Sequence, residues 1–111
     1  MNLLIETVEA TLASGHAPDD IVFIGSEESG HSCTWAEFAV IADIEYDDGH
    51  GAQEVSSDLI IVFSDKATMW RHEYDGAEWW EYSKPFHMPD QTKPIKHLAG
   101  GMWATLAELN K

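Results

Sequence analysis

A chain of 111 residues with 44% hydrophobic content is long enough for one domain with a real core, so neither disorder nor a disulfide scaffold is needed to explain it. Six Lys and Arg against twenty Asp and Glu leave a net charge of −14, which argues against direct nucleic-acid binding and against anionic lipid, since both need surface cations. The single cysteine, Cys33, has no internal disulfide partner, and no apolar run approaches the roughly 18 residues of a membrane span.

The negative charge is unevenly placed. Residues 1–65 hold fourteen acids and no Lys or Arg, whereas residues 66–111 hold six of each and are neutral. Average usage would put about seven bases in the first 65 residues. The opening segment has no basic leader, and Glu6 and Glu9 interrupt its apolar residues, so no secretory signal is expected and a reducing cytoplasm is the expected setting.

Leu3, Leu4, Val8 and Leu12 recur at near-helical spacing, and Gly15 stands where a C′ glycine would end the turn; a helix over 3–14 is predicted. Pro18, Asp19 and Asp20 form a turn, Ile21–Gly25 reads as a buried strand, and His31–Cys33 follows the polar turn 26–30 as a short return strand. Thr34 and Glu37 have the spacing of a capping box. With Trp35, Phe38, Ile41 and Ala42 on one face, they predict a second helix over 35–45. Residues 47–51, Asp-Asp-Gly-His-Gly, then form a loop.

Leu59–Phe63 is the strongest strand pattern in the chain. Thr68–Tyr74 and Ala77–Tyr82 flank Asp75-Gly76, the strongest short-range hairpin signal. A two-residue loop pairs Tyr74 with Ala77, His72 with Trp79 and Trp70 with Glu81; on the other face it pairs Glu73 with Glu78, Arg71 with Trp80 and Met69 with Tyr82. Trp70 and Trp79 are expected to face the core. Arg71 over Trp80 is then an exposed cation–π pair of the kind favoured in interfaces. Pro85, Pro89 and Pro94 make 85–94 an irregular connection, and Met102, Trp103, Leu106 and Leu109 predict a short closing helix. The expected architecture is a single α+β domain over 1–111: an antiparallel sheet of about four strands with two or three helices packed on it.

Chemistry-bearing motifs are sparse. Asp43, Glu45, Asp47, Asp48 and His50 are oxygen-rich, but their spacing does not supply the register of a calcium loop. The six histidines are scattered without the spacing of a helical zinc pair. Cys33 precedes a predicted helix N-terminus, which would lower a thiol pKa; the plainer reading is a small residue beside the core. There is no glycine-rich phosphate loop and no dinucleotide fingerprint. No catalytic residue, metal or cofactor is therefore assigned, and the expected activity is non-enzymatic binding. The acids themselves are the candidates: Glu6 and Glu9, Asp19 and Asp20, Glu27 and Glu28, and the run Asp43, Glu45, Asp47, Asp48, Glu54 and Asp58, with Arg71 and Trp80 as an anchor pair. Carboxylates on a rigid scaffold can occupy the places of phosphates and meet the same Arg/Lys cluster.

Ile44–Val55, Asp58–Asp65 and His72–Pro85 resemble segments of short accessory proteins of tailed phages and prophages, a likeness spanning roughly residues 38–86. The resemblance implies work in a bacterial host's cytoplasm, and a trade shared with small acidic inhibitors of host defence, such as anti-CRISPR or anti-restriction proteins, some of which imitate DNA. It carries over no site residues. The expected partner is the basic surface of a nucleic-acid-binding host protein. The alternatives are a phage assembly protein that forms a homodimer or larger homo-oligomer through its aromatic sheet, and a small enzyme or metal-binding protein.

Overall fold

The computed structural model describes residues 1–49, 51–83, 86 and 88–111. It is an α+β fold built on one antiparallel sheet, with five strands where about four were expected. The chain runs α1 (Leu3–Ala13), a 3₁₀ turn (Pro18–Asp20), β1 (Ile21–Gly25), β2 (Ser32–Cys33), α2 (Trp35–Ile41), β3 (Ile60–Phe63), β4 (Thr68–Tyr74), β5 (Ala77–Tyr82) and α3 (Leu106–Leu109). The strand order is β2-β1-β3-β4-β5. Residues 1–65 thus supply one side of the sheet and the hairpin supplies the other.

The hairpin has the predicted register at all six pairs, from Met69–Tyr82 to Tyr74–Ala77. Its turn has Asp75 at φ 52 and Gly76 at φ 87, the double positive φ that a type I′ turn requires. Which face lies inside is the reverse of expectation. Met69, Arg71, Glu78 and Trp80 are buried, while Trp70 is exposed and Trp79 half-exposed against His72. Period 2 defines two faces but does not say which is covered; α1 covers the Arg71 face because it brings the counter-charge Glu6 and an acceptor, Thr7, to that side.

α1 is also rotated from its expected seam. Leu3, Thr7, Thr11 and Ser14 are buried, while Ile5 and Leu12 are exposed. The threonines bury at little cost because Thr7 and Thr11 donate to the carbonyls of Leu3 and Thr7 at 2.7 and 2.8 Å. The first N–H groups of α1 are satisfied from outside the helix: Leu3 donates to the Ile44 carbonyl and Leu4 to that of Ala42. This return of residues 42–46 along the N-terminus ends α2 at Ile41, short of the expected 45. The α2 capping box forms as predicted, with Thr34 N–H on Glu37 Oε1 at 2.9 Å and Glu37 N–H on Thr34 Oγ1 at 3.1 Å.

The third helix does not close onto the sheet. α3 has four residues, and Met102, Trp103 and Leu106 before and within it are exposed. The C-terminal segment instead projects from the body. The radius of gyration is 18.1 Å and the molecule is 52 Å long, against about 13 Å expected for a compact chain of this size.

Below the sheet, His16 stacks on Phe63 with ring centres 4.0 Å apart and places Nε2 2.7 Å from Asp65 Oδ2. That hydrogen bond, with a second from the Ala67 amide, holds the Asp65 carboxyl below its ordinary value of 3.8. A lowered folded pKa gives stability that is present above the unfolded value and lost as pH falls through the folded one. Asp65→Asn is therefore expected to flatten the acid limb of the stability curve below about pH 4. Acid titration followed by circular dichroism checks this; an unchanged acid limb would contradict it.

A carboxylate-rimmed apolar groove

Ile24 and Gly25 of β1, Cys33 of β2, Phe38 and Ile41 of α2 with Ala42 just after it, and Val55 and Leu59 of the long loop before β3 line a groove of about 540 Å³. The walls are mostly apolar, and Glu45 and Glu54 are the acids among the lining residues. No Lys or Arg lines it among the described residues. A smaller cleft shares Gly25, His31, Ser56 and Leu59 with the groove and adds Asp58, Ser26 and Ser29, so the exposed Glu27-Glu28 turn adjoins it. The groove exists because Gly25 lets β1 and β2 approach: a Cβ there would lie 2.0 Å from the His31 carbonyl oxygen.

The sequence candidates divide accordingly. Glu45 and Glu54 line the groove, and Asp58 with Glu27 and Glu28 lies beside it. Asp47 is linked to Glu54, whose Oε2 accepts the Asp47 amide at 3.0 Å. Asp43 does not line the groove; its Oδ1 accepts the Asn2 side-chain amide at 2.9 Å, and Asp48 gives its carbonyl to the Glu78 amide at 2.9 Å. Glu45 also faces the amino group of Met1 at 3.2 Å. His50 lies outside the described residues.

Arg71 and Trp80 are not surface anchors. The cation–π pair forms, with the guanidinium 5.1 Å from the Trp80 ring centre, but both residues are 5% exposed and sit in the core. Arg71 Nη2 donates to Glu78 Oε1 at 2.9 Å and to the Tyr46 hydroxyl at 3.0 Å, and Nη1 donates to Glu6 Oε1 at 3.1 Å. Tyr46 in turn donates to Glu6. Burial alone would lower the Arg71 pKa; the hydrogen bonds it donates to Glu78 and Tyr46 and the Glu6 charge outweigh it and hold the group above its ordinary value. Burial and the Glu6 hydrogen bond likewise push the Tyr46 phenol well above its ordinary value.

This buried cluster, which local sequence pattern does not show, shapes the groove. Glu78 accepts the amides of Glu54 at 2.7 Å and Val55 at 3.2 Å. The groove wall at residues 54 and 55 is thus hung from a carboxylate that Arg71 neutralises. The signal available in the sequence was the lone Arg among acids in an alternating strand.

Two groups of chemistry-bearing side chains also make structural contacts. Ser14 Oγ lies 3.0 Å from His16 Nδ1, and His16 Nε2 meets Asp65, the order of groups in a hydrolase triad. Yet Ser14 is buried and its hydroxyl meets the Thr11 carbonyl at 2.7 Å, so it pins the end of α1. Cys33 borders the groove, but its thiol pKa is raised, by burial and then by the Glu37 charge; Glu37, folded back on the Thr34 amide, opposes the lowering expected from the helix end. No family model, curated protein or solved structure matches this chain.

Proposed function

We propose that the chain is a non-enzymatic binding protein whose carboxylate-rimmed groove engages the basic surface of a partner protein. One observation carries this reading: an apolar groove lined by Ile24, Phe38 and Leu59 has Glu45 and Glu54 in its lining and Asp58 beside it, with no Lys or Arg in the lining among the described residues. Such a site favours a segment that offers apolar side chains together with Lys or Arg. Carboxylates alone would steer such a partner, and the apolar floor adds the desolvated contact that slows its departure. A partner of that chemistry is a protein surface built to hold nucleic acid, whose Arg/Lys cluster meets carboxylates as it meets phosphates. The resemblance of residues 38–86 to phage accessory proteins makes a host defence protein the partner we favour, and inhibition by occupancy the mode of action.

The test is retention of host proteins on the immobilised chain at low salt, with elution along a salt ramp. Glu45→Lys with Glu54→Lys is expected to move elution of the retained partner to clearly lower salt and to cut its association rate by ~10-fold or more at low ionic strength. Duplex DNA added in solution should release the same partner. Retention indifferent to salt, to the charge reversal and to DNA would overturn the reading.

A further inference from the structure

We propose that the projecting C-terminal segment of one copy docks into the groove of a second copy, so that the protein self-associates as a reciprocal dimer. This rests on the groove reading above and names an occupant that the chain itself carries. The segment is not a loose tail. Asn110 Oδ1 accepts the amides of Lys96 and His97, both at 2.8 Å, and its Nδ2 donates to the carbonyls of His97 and Leu106 at 3.0 and 2.7 Å. These four bonds tie residues 96–110 into a closed knob.

The knob turns its apolar side chains outward. Leu98 is 74% exposed, Met102 81% and Trp103 92%, and Phe86 and Met88 before it are exposed as well. Trp103 adopts φ 55, a left-handed backbone unusual for a bulky residue, and one that functional sites tolerate more often than structural ones. An ordered segment that buries so little of its own apolar surface is a half-interface.

Charge decides which surface completes it. Residues 84–111 hold four Lys against Asp90 and Glu108, a net +2, whereas residues 1–83 hold eighteen acids against Lys66 and Arg71, a net −16. The knob itself carries Lys96 against Glu108, and its flanks add Lys84, Lys93 and Lys111 against Asp90, so the segment from residue 84 onward is the basic, apolar part of an acidic molecule, while the groove is apolar with an acidic rim. Its volume of about 540 Å³ is that of a pocket which encloses a group the size of a few side chains. The knob follows β5, at one edge of the sheet, and the groove borders β2, at the other. Among the described residues, none of the segment's own residues lines the groove. Exchange between two copies satisfies both surfaces at once and closes by two-fold symmetry.

Sedimentation velocity on the full-length chain across a dilution series tests this at low and high salt. The expected result is a dimer that dissociates on dilution and weakens as salt rises. Trp103→Ser and Ile41→Asp, two exposed positions on the knob and the groove, should each weaken the dimer by ~10-fold or more, a loss of about 1.4 kcal/mol. An equimolar mixture should recover heterodimer, because one knob–groove contact of the two survives. Cross-linking a mixture of isotope-labelled and unlabelled protein should join Lys96 to the groove segment between copies. A monomer under every condition, dimers insensitive to both variants, or cross-links confined to one copy or to the Trp70 face would overturn the proposal. Those results leave the groove reading intact if charge reversal still weakens retention of the outside partner; unchanged retention with a groove-dependent dimer would sink that reading instead.

Discussion

Replacing Arg71 with Met is expected to destabilise the protein by about 3–5 kcal/mol, the usual consequence of removing one partner from a buried ion pair. The side chains of Arg71 and Glu78 are 0% exposed and that of Glu6 only 12%. Loss of the guanidinium would strand a carboxylate that water cannot reach, with a second one close by. A domain of this size has ~5–15 kcal/mol of stability in total, so the variant should fold marginally, with a much lower urea midpoint. Arg71→Lys should recover only part of the loss. One ammonium cannot serve Glu6, Glu78 and Tyr46 with the planar fork of Arg71. Arg71→Met combined with Glu78→Gln should be more stable than Arg71→Met alone, because the stranded charge is gone while Gln can still accept one of the Glu54 and Val55 amides. A double variant no better than the single one would mean that Glu78 is not the group Arg71 neutralises.

The same cluster connects stability to function. Glu78 holds the backbone of Glu54 and Val55, and both residues line the groove. A weakened Arg71–Glu78 pair should loosen that wall before the sheet melts. Partner affinity and protection of the residue 54 and 55 amides from hydrogen exchange are then expected to fall together in Arg71→Lys.

Elements whose geometry is set by neighbours in sequence were legible. The Asp75-Gly76 turn needs two positive φ values, so it dictated the hairpin register pair by pair. The Thr34–Glu37 box and the glycine after α1, Gly15 at φ 85, follow from local hydrogen bonding and sterics in the same way. What was not legible depends on residues far apart in the chain. Arg71 reaches Glu6 across 65 positions and Tyr46 across 25, so alternation along β4 could not reveal that the charged face is the buried one. Thr7 and Thr11 lie outside the apolar spacing of Leu3, Leu4, Val8 and Leu12 that predicted α1, yet their hydroxyls bond within the helix and leave them free to pack. Several of the groove's acids were visible as a class, but their grouping arises from β1, β2, α2 and the loop before β3 meeting in space. The short closing helix forms at Leu106–Leu109, but its apolar spacing could not show that Met102, Trp103 and Leu106 would stay exposed instead of packing on the sheet.

Trp80 separates the two roles that its sequence position allowed. As an exposed anchor it would lose binding on truncation and little stability. As the core residue seen here, 5% exposed and packed between Arg71 and α1, Trp80→Ala is expected to cost about 3–5 kcal/mol. Trp80→Phe keeps a ring under the guanidinium but removes the indole N–H that donates to Thr7 Oγ1 at 2.9 Å. It should cost less, about 1–3 kcal/mol, from the lost hydrogen bond and the smaller volume. Thr7→Val removes the acceptor and leaves the indole N–H buried without a partner. The two single variants should therefore each be destabilised, and the double variant should fall short of their sum, because one hydrogen bond cannot be lost twice. Urea unfolding of the four species gives the coupling directly. Strict additivity would mean that the bond contributes nothing, and α1 would then be held to the sheet by Arg71–Glu6 and apolar packing alone.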